Sequence, residues 1–169
     1  MVPATSGGAE AGRDGVAGWA APVSVLDPAA EDAEARKRAA FAASAAALAA
    51  SGTVSLELAA AGTPMVTAYC TSWLTAQIVR RIVAVRTANL VNLVAGEAVV
   101  PEFLQESFEP PKVADALDAL MREGSERARQ REAAARVIAA LGGEGPPPGL
   151  RAARAVLAAL ARPPRIATP

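Results

Sequence analysis

Between Ala45 and Tyr69 the chain reads AAALAASGTVSLELAAAGTPMVTAY. An apolar run of small residues ends in a turn without bulk, Ser51-Gly52-Thr53. A helix-forming segment follows over 53–61 and carries one carboxylate, Glu57. Gly62 and Pro64 stop that helix, and a second apolar run, 64–69, begins. Propensity alone leaves 45–51 ambiguous, but its place between a helical segment and the turn argues for a buried strand. A strand, a helix and a strand joined this tightly imply parallel strands linked by a right-handed crossover.

The flanking sequence extends the pattern. Residues 1–4 and 22–26 read as strands, and 9–18 and 31–44 as helices. A helix over 72–85 places Leu74, Ile78, Ile82 and Val85 on one stripe, with Gln77, Arg80 and Arg81 facing away. The segment 89–105 has a broken, strand-and-loop character. From Glu109 onward the pattern is helical: Pro110-Pro111 suits a helix start, and Ser125 is placed to cap a second helix that reaches Leu141. Residues 142–149, GGEGPPPG, read as a linker before an amphipathic helix over 150–162 with Leu150, Ala153, Leu157 and Leu160 on its apolar face. The expected fold is α/β: a Rossmann-like open parallel sheet with flanking helices over 1–141, its C-terminal part all-helical. In such sheets ligands bind beyond the carboxyl ends of the strands, which is where the Ser-Gly-Thr turn falls.

Composition removes several chemistries. At 169 residues the chain suits one domain, able to bury about 70% of its unfolded surface. It holds no histidine, which excludes imidazole acid–base work and most zinc sites. Its lone Cys70 forms no disulfide framework or redox pair, and a cytoplasmic setting fits. With zero formal net charge, nucleic acid has no global electrostatic attraction to it. No secretory signal opens the sequence, and the uncharged windows 39–56 and 58–79 are too small-residue-rich or too broken to span a membrane.

The turn can carry chemistry. Free backbone N–H groups at a helix start receive phosphate, Gly52 allows close backbone approach, and Ser51 and Thr53 add hydroxyls. Glu57, one helical turn on, is placed to accept from sugar hydroxyls. The plainer reading is that Ser51 or Thr53 caps the helix and Glu57 is a solvated first-turn acid. From Leu58 to Gly96 there is no acid, while Arg80, Arg81 and Arg86 are present; this local excess suits an anionic ligand or headgroups, or simply solvates one helix face. Trp73 suits a membrane interface or a core rim equally. Asn92 and Gln105 offer amides to a ligand or to their own loop.

Taken together, these segments resemble lipid-A-disaccharide synthases, bacterial glycosyltransferases of the two-domain GT-B fold. The first half of the resemblance is SGTVSLELAAAGTPMV, shared loosely with other sugar-nucleotide transferases. The second, LVNLVAGEAVVPEFLQE over 90–106, is far more specific, and GLRAARAVLAAL is similar to the family's last helix. The resemblance covers roughly 20–162 and, more faintly, the first twenty residues. It implies an incomplete GT-B C-terminal domain: the UDP-sugar half of an enzyme whose acceptor-binding domain and central Pro-Gly-Ser-Arg strand have no counterpart here. By resemblance the donor is UDP-2,3-diacylglucosamine and the lipid acceptor is diacylglucosamine 1-phosphate, reached through the absent domain. Ser51, Gly52 and Thr53 would hold the diphosphate, and Glu57, Asn92 and Gln105 would contact ribose, diphosphate or sugar. No cofactor or metal is implied, no catalytic residue is identified in this chain, and the expected location is cytoplasmic, peripheral on the inner membrane.

The sequence departs from the family at Cys70, where an arginine is common, and at Val91, where a proline precedes the asparagine. Losing the arginine removes a phosphate contact worth about 1.5–3 kcal/mol if charge-assisted. Two other readings stay open: a non-catalytic module that docks a separate acceptor domain or a membrane, and an inactive remnant.

Overall fold

The computed structural model describes residues 1–3, 9–50, 52–70, 87–143 and 145–161. Ser51, the expected helix 72–85 with Trp73, Arg80 and Arg81, and the following Arg86 lie outside the described residues.

The chain is α/β, with parallel strands flanked by helices. Strand β1 (Val2–Pro3) is followed by helix α1 (Ala9–Val16), and β2 (Val25–Leu26) pairs parallel to β1. Helix α2 (Ala33–Ala43) leads to β3 (Ala47–Ala49), helix α3 (Val54–Ala60) and β4 (Met65–Tyr69). Helix α4 (Leu90–Ala95) precedes β5 (Glu102–Leu104) and a 3-10 turn at Gln105–Ser107. Helices α5 (Pro110–Met121), α6 (Ser125–Ala140) and α7 (Pro148–Leu160) complete the described elements, so the C-terminal part is helical as the sequence predicts. Strands β3, β4 and β5 form a parallel sheet in that order. The pair β1–β2 is a separate sheet.

Strand β4 is covered on both faces, as a parallel strand should be. Its alternate residues face opposite ways. Met65 joins Phe41, Ala49, Leu58, Val91, Ala134 and Val137 in one buried cluster. Val66 joins Val113 and Leu120 of α5 in another. Helix α3 packs on α4 and α6, and α2 packs on both α3 and β2. Thr63 donates from its hydroxyl to the Phe41 carbonyl at 2.5 Å, tying the end of α2 to the turn before β4.

Gln130 completes the sheet where β5 cannot. The register pairs Thr67 with Glu102, and the Thr67 amide donates to the Pro101 carbonyl at 2.9 Å. Two residues earlier the same edge would direct the Met65 carbonyl at the nitrogen of Pro101, which carries no hydrogen. The buried Gln130 of α6 substitutes for a strand there: its Nε2 donates to the Met65 carbonyl at 3.0 Å and its Oε1 accepts from the Met65 amide.

Two local expectations are corrected. The segment expected to be strand and loop contains α4. The helix forms because Asn89 caps it, Oδ1 accepting from the Val91 and Asn92 amides, and because Gly96 ends it at φ 71°, in the left-handed region glycine enters freely. Ser125 is the first residue of α6 rather than its cap. The cap position belongs to Gly124, in an extended conformation and without a side-chain bond.

Helix α7 is exposed along its whole length, including Leu150, Leu157 and Leu160. Arg151 holds its start to the end of α6, donating from Nη2 to the Leu141 carbonyl at 3.0 Å.

Candidate functional site

Parallel pairing brings the carboxyl ends of β3, β4 and β5 to one edge of the sheet. The chain leaves these ends at Ala50, Cys70 and Gln105. This is the edge where open α/β sheets bind ligands, and three features mark it.

The first is the turn into α3. Gly52 has φ 117°, a conformation L side chains rarely adopt, and it is exposed with open space around the position of a Cβ. Thr53 holds the cap position with helical dihedrals and makes no side-chain capping bond, so its hydroxyl is not consumed by the helix. The turn is closed instead by Ser55, fully buried, whose hydroxyl donates to the Gly52 carbonyl at 2.7 Å. In the sequence, the signal for this bond is a serine three residues after a turn glycine.

The second is Glu57, one turn along α3, where its amide bonds the Thr53 carbonyl. Its carboxylate faces α2, with Oε2 2.8 Å from Lys37 Nζ. Lys37 also meets Glu34 Oε2 at 2.9 Å. These contacts raise the Lys37 pKa, the Glu57 hydrogen bond contributing most and Glu34 next. The Lys37 hydrogen bond in turn holds the Glu34 carboxyl below its ordinary value. Glu34, Arg38, Phe41 and Glu57 line a cavity of about 380 Å³ here.

The third is Gln105, whose φ of 52° makes it the one described non-glycine residue with a positive φ. Such a conformation costs free energy and persists where surrounding structure enforces it, often at functional sites. Cys70 lies against it, its thiol 3.9 Å from Gln105 Oε1, which joins the ends of β4 and β5.

Asn92 occupies a different place. It is buried beside the approach to the amino end of β5. Its Oδ1 accepts from the Val99 and Val100 amides at 2.9 and 2.8 Å, and its Nδ2 donates to the Val100 carbonyl and to Glu102 Oε1. All four hydrogen-bonding positions of the amide are thus used. Glu102 extends the network. It accepts from the Thr87 hydroxyl at Oε1 and from the Ala88 amide at Oε2, 2.9 Å away. Asn92, Leu93, Val99, Glu102, Leu104 and Arg129 are among the walls of a cavity of about 670 Å³ along β5. The structure therefore gathers Gly52, Thr53 and Glu57 at the start of α3, sets Gln105 across β4 at the same edge, and leaves Asn92 at the other end of β5.

The sequence profile described as Lipid-A-disaccharide synthetase matches residues 29–145, which contain the whole of this edge. The chain belongs to the lipid-A-disaccharide synthetase family. Curated relatives named lipid-A-disaccharide synthase include one from Ruegeria pomeroyi, 48% identical over 160 residues that cover 93% of this chain and 39% of the relative. One from Bradyrhizobium diazoefficiens is 46% identical, with 88% and 36% covered, and one from Rhodospirillum centenum is 43% identical, with 93% and 38% covered. The chain thus spans under two fifths of the length of these family members. Among the described residues no helix is long and apolar enough to cross a membrane, and no group of three or more metal-ligating side chains is present.

Proposed function

We propose that this chain is the UDP-diacylglucosamine-binding half of a lipid-A-disaccharide synthase, a glycosyltransferase that forms the β-1,6 disaccharide of lipid A. One observation carries the reading: the family match spans a sheet edge at which an open glycine turn, an uncommitted threonine hydroxyl and a half-exposed glutamate meet at the start of one helix. Backbone N–H groups of the turn, with Ser51 and Thr53, hold the diphosphate. Fixed donors aimed at the oxygens of a departing nucleotide stabilise the charge that develops there, which lowers the barrier to glycosyl transfer. Glu57 accepts from the ribose. Gln105 contacts the sugar side from across β4, and Asn92 acts by fixing the approach to β5.

The acceptor, diacylglucosamine 1-phosphate, and the catalytic base belong to the acceptor-binding half, so this chain alone makes no disaccharide. Residues 1–141 act as the nucleotide-sugar domain, 142–149 as linker and 150–162 as a terminal helix. The location is cytoplasmic, with peripheral contact at the inner membrane. Calorimetry with UDP tests the reading: weak, saturable binding that Gly52→Val abolishes supports it, and unchanged binding by that variant overturns the phosphate turn. Turnover of UDP-diacylglucosamine by the purified chain would contradict its assignment as one half.

The exposed apolar stripe of α7 favours a second reading, a non-catalytic module that docks a separate acceptor domain or a membrane. Co-sedimentation with anionic vesicles, without affinity for UDP, would select it.

A further inference from the structure

We infer that Lys37 is a positioning residue for Glu57, presenting one carboxylate oxygen of Glu57 to a ribose hydroxyl; the inference rests on the function proposed above. A glutamate on a solvent-facing helix turn samples several rotamers, and a ligand that uses it must pay to fix them. Here the rotamers are restricted from outside the helix. Lys37 reaches across from α2 and takes Glu57 Oε2 at 2.8 Å. Among the described residues no group donates to Oε1, so the anchored carboxylate keeps one acceptor for a ligand.

Lys37 is itself restrained. Glu34, one turn earlier on α2, holds the same ammonium at 2.9 Å, and only about a quarter of the Lys37 side chain is exposed. Helix α2 is in turn pinned at its end by the Thr63 hydroxyl on the Phe41 carbonyl. Of the neighbouring arginines, Arg38 pairs with Glu34 in the same cavity and Arg36 with Asp32, and neither forms an ion pair with Glu57. Removing the Lys37 charge therefore leaves Glu57 without its cation and faces it with Glu34, two like charges sharing one side of a cavity.

The experiment is calorimetry of the full chain with UDP and with 2′,3′-dideoxy-UDP, on wild type, Lys37→Met, Lys37→Arg and the double variant Glu34→Gln/Lys37→Met. The double variant removes the carboxylate repulsion, and so separates lost positioning from created repulsion. Both variants with methionine at position 37 should lose about three- to tenfold in affinity for UDP, with affinity for the dideoxy nucleotide unchanged. Lys37→Arg should restore most of the loss. A pair that merely fastens α2 to α3 would change both nucleotides alike, or change only the melting temperature, and either result overturns the inference while leaving the proposed function standing. A wild-type chain that binds neither nucleotide overturns both.

Discussion

Asn89 donates from Nδ2 to the hydroxyl of Thr67 at 2.7 Å, and neither side chain is exposed at all. The same asparagine caps α4 with its Oδ1, so one side chain starts a helix and anchors it to the middle of β4. Replacing Asn89 by alanine removes the cap and strands a buried hydroxyl. The expected loss is roughly 2–4 kcal/mol in urea unfolding. A cycle of Asn89→Ala with Thr67→Val should show coupling of about 0.5–3 kcal/mol; additive losses would mean the bond is not shared.

Gln130→Leu should be as damaging, although leucine is apolar and similar in size. The substitution orphans the amide and carbonyl of Met65 in the core, each worth about 1–3 kcal/mol. Equilibrium denaturation should give a total near 2–5 kcal/mol with little change in the denaturant slope.

The Glu34–Lys37–Glu57 cluster predicts a plateau in stability with two shoulders. Glu34 has a folded-state pKa below its ordinary 4.5, so its contribution is full above 4.5 and is lost as pH falls through the folded value. Lys37 has a folded-state pKa above its ordinary 10.5, so its contribution is full below 10.5 and is lost as pH rises through the folded value. Both groups meet solvent, so the shoulders are shallow. Melting temperatures of wild type and Lys37→Met should run parallel from pH 5 to 10 and converge outside that window, while a gap that persists in strong acid and alkali would contradict the assignment.

Gly52→Ala should test the turn separately from bulk. An added Cβ meets nothing within 4 Å, but φ 117° disfavours any L side chain. The expected cost is about 1–2 kcal/mol, visible in thermal melts. A stabilised variant would mean that the turn readily relaxes to another conformation.

The strand–helix–strand unit from β3 to β4 is legible in sequence because its boundaries are chemical. Gly52 and the Gly62–Pro64 pair punctuate it, and β4 is buried on both faces, so its run is mostly apolar and its central Thr67 is hydrogen-bonded by Asn89. Helix α4 is not legible in the same way. It has six residues, too few to display a period, and its signal lay in the terminal residues, Asn89 before it and Gly96 after it. In the sequence Asn92 is an amide open to a ligand or to its own loop, and its partners are not visible there: Val99 and Val100 lie before β5, and only folding shows that Asn92 receives them. Lys37 meets Glu57 across 20 residues, and Gln130 meets Met65 across 65. Pairings of that range follow from how helices pack, and no local pattern announces them. The Gly52 turn and Glu57 are visible in the sequence; the lysine that meets Glu57 is brought there only by the fold.

Titration of the isotope-labelled chain with UDP, followed by amide chemical shifts, tests the phosphate turn at Gly52 most directly. Saturable shifts centred on Gly52, Thr53, Val54 and Glu57 are expected, with a weaker response at Gln105 across β4. Shifts absent from the turn, or confined to the cavity beside α4 and β5, would contradict the phosphate turn.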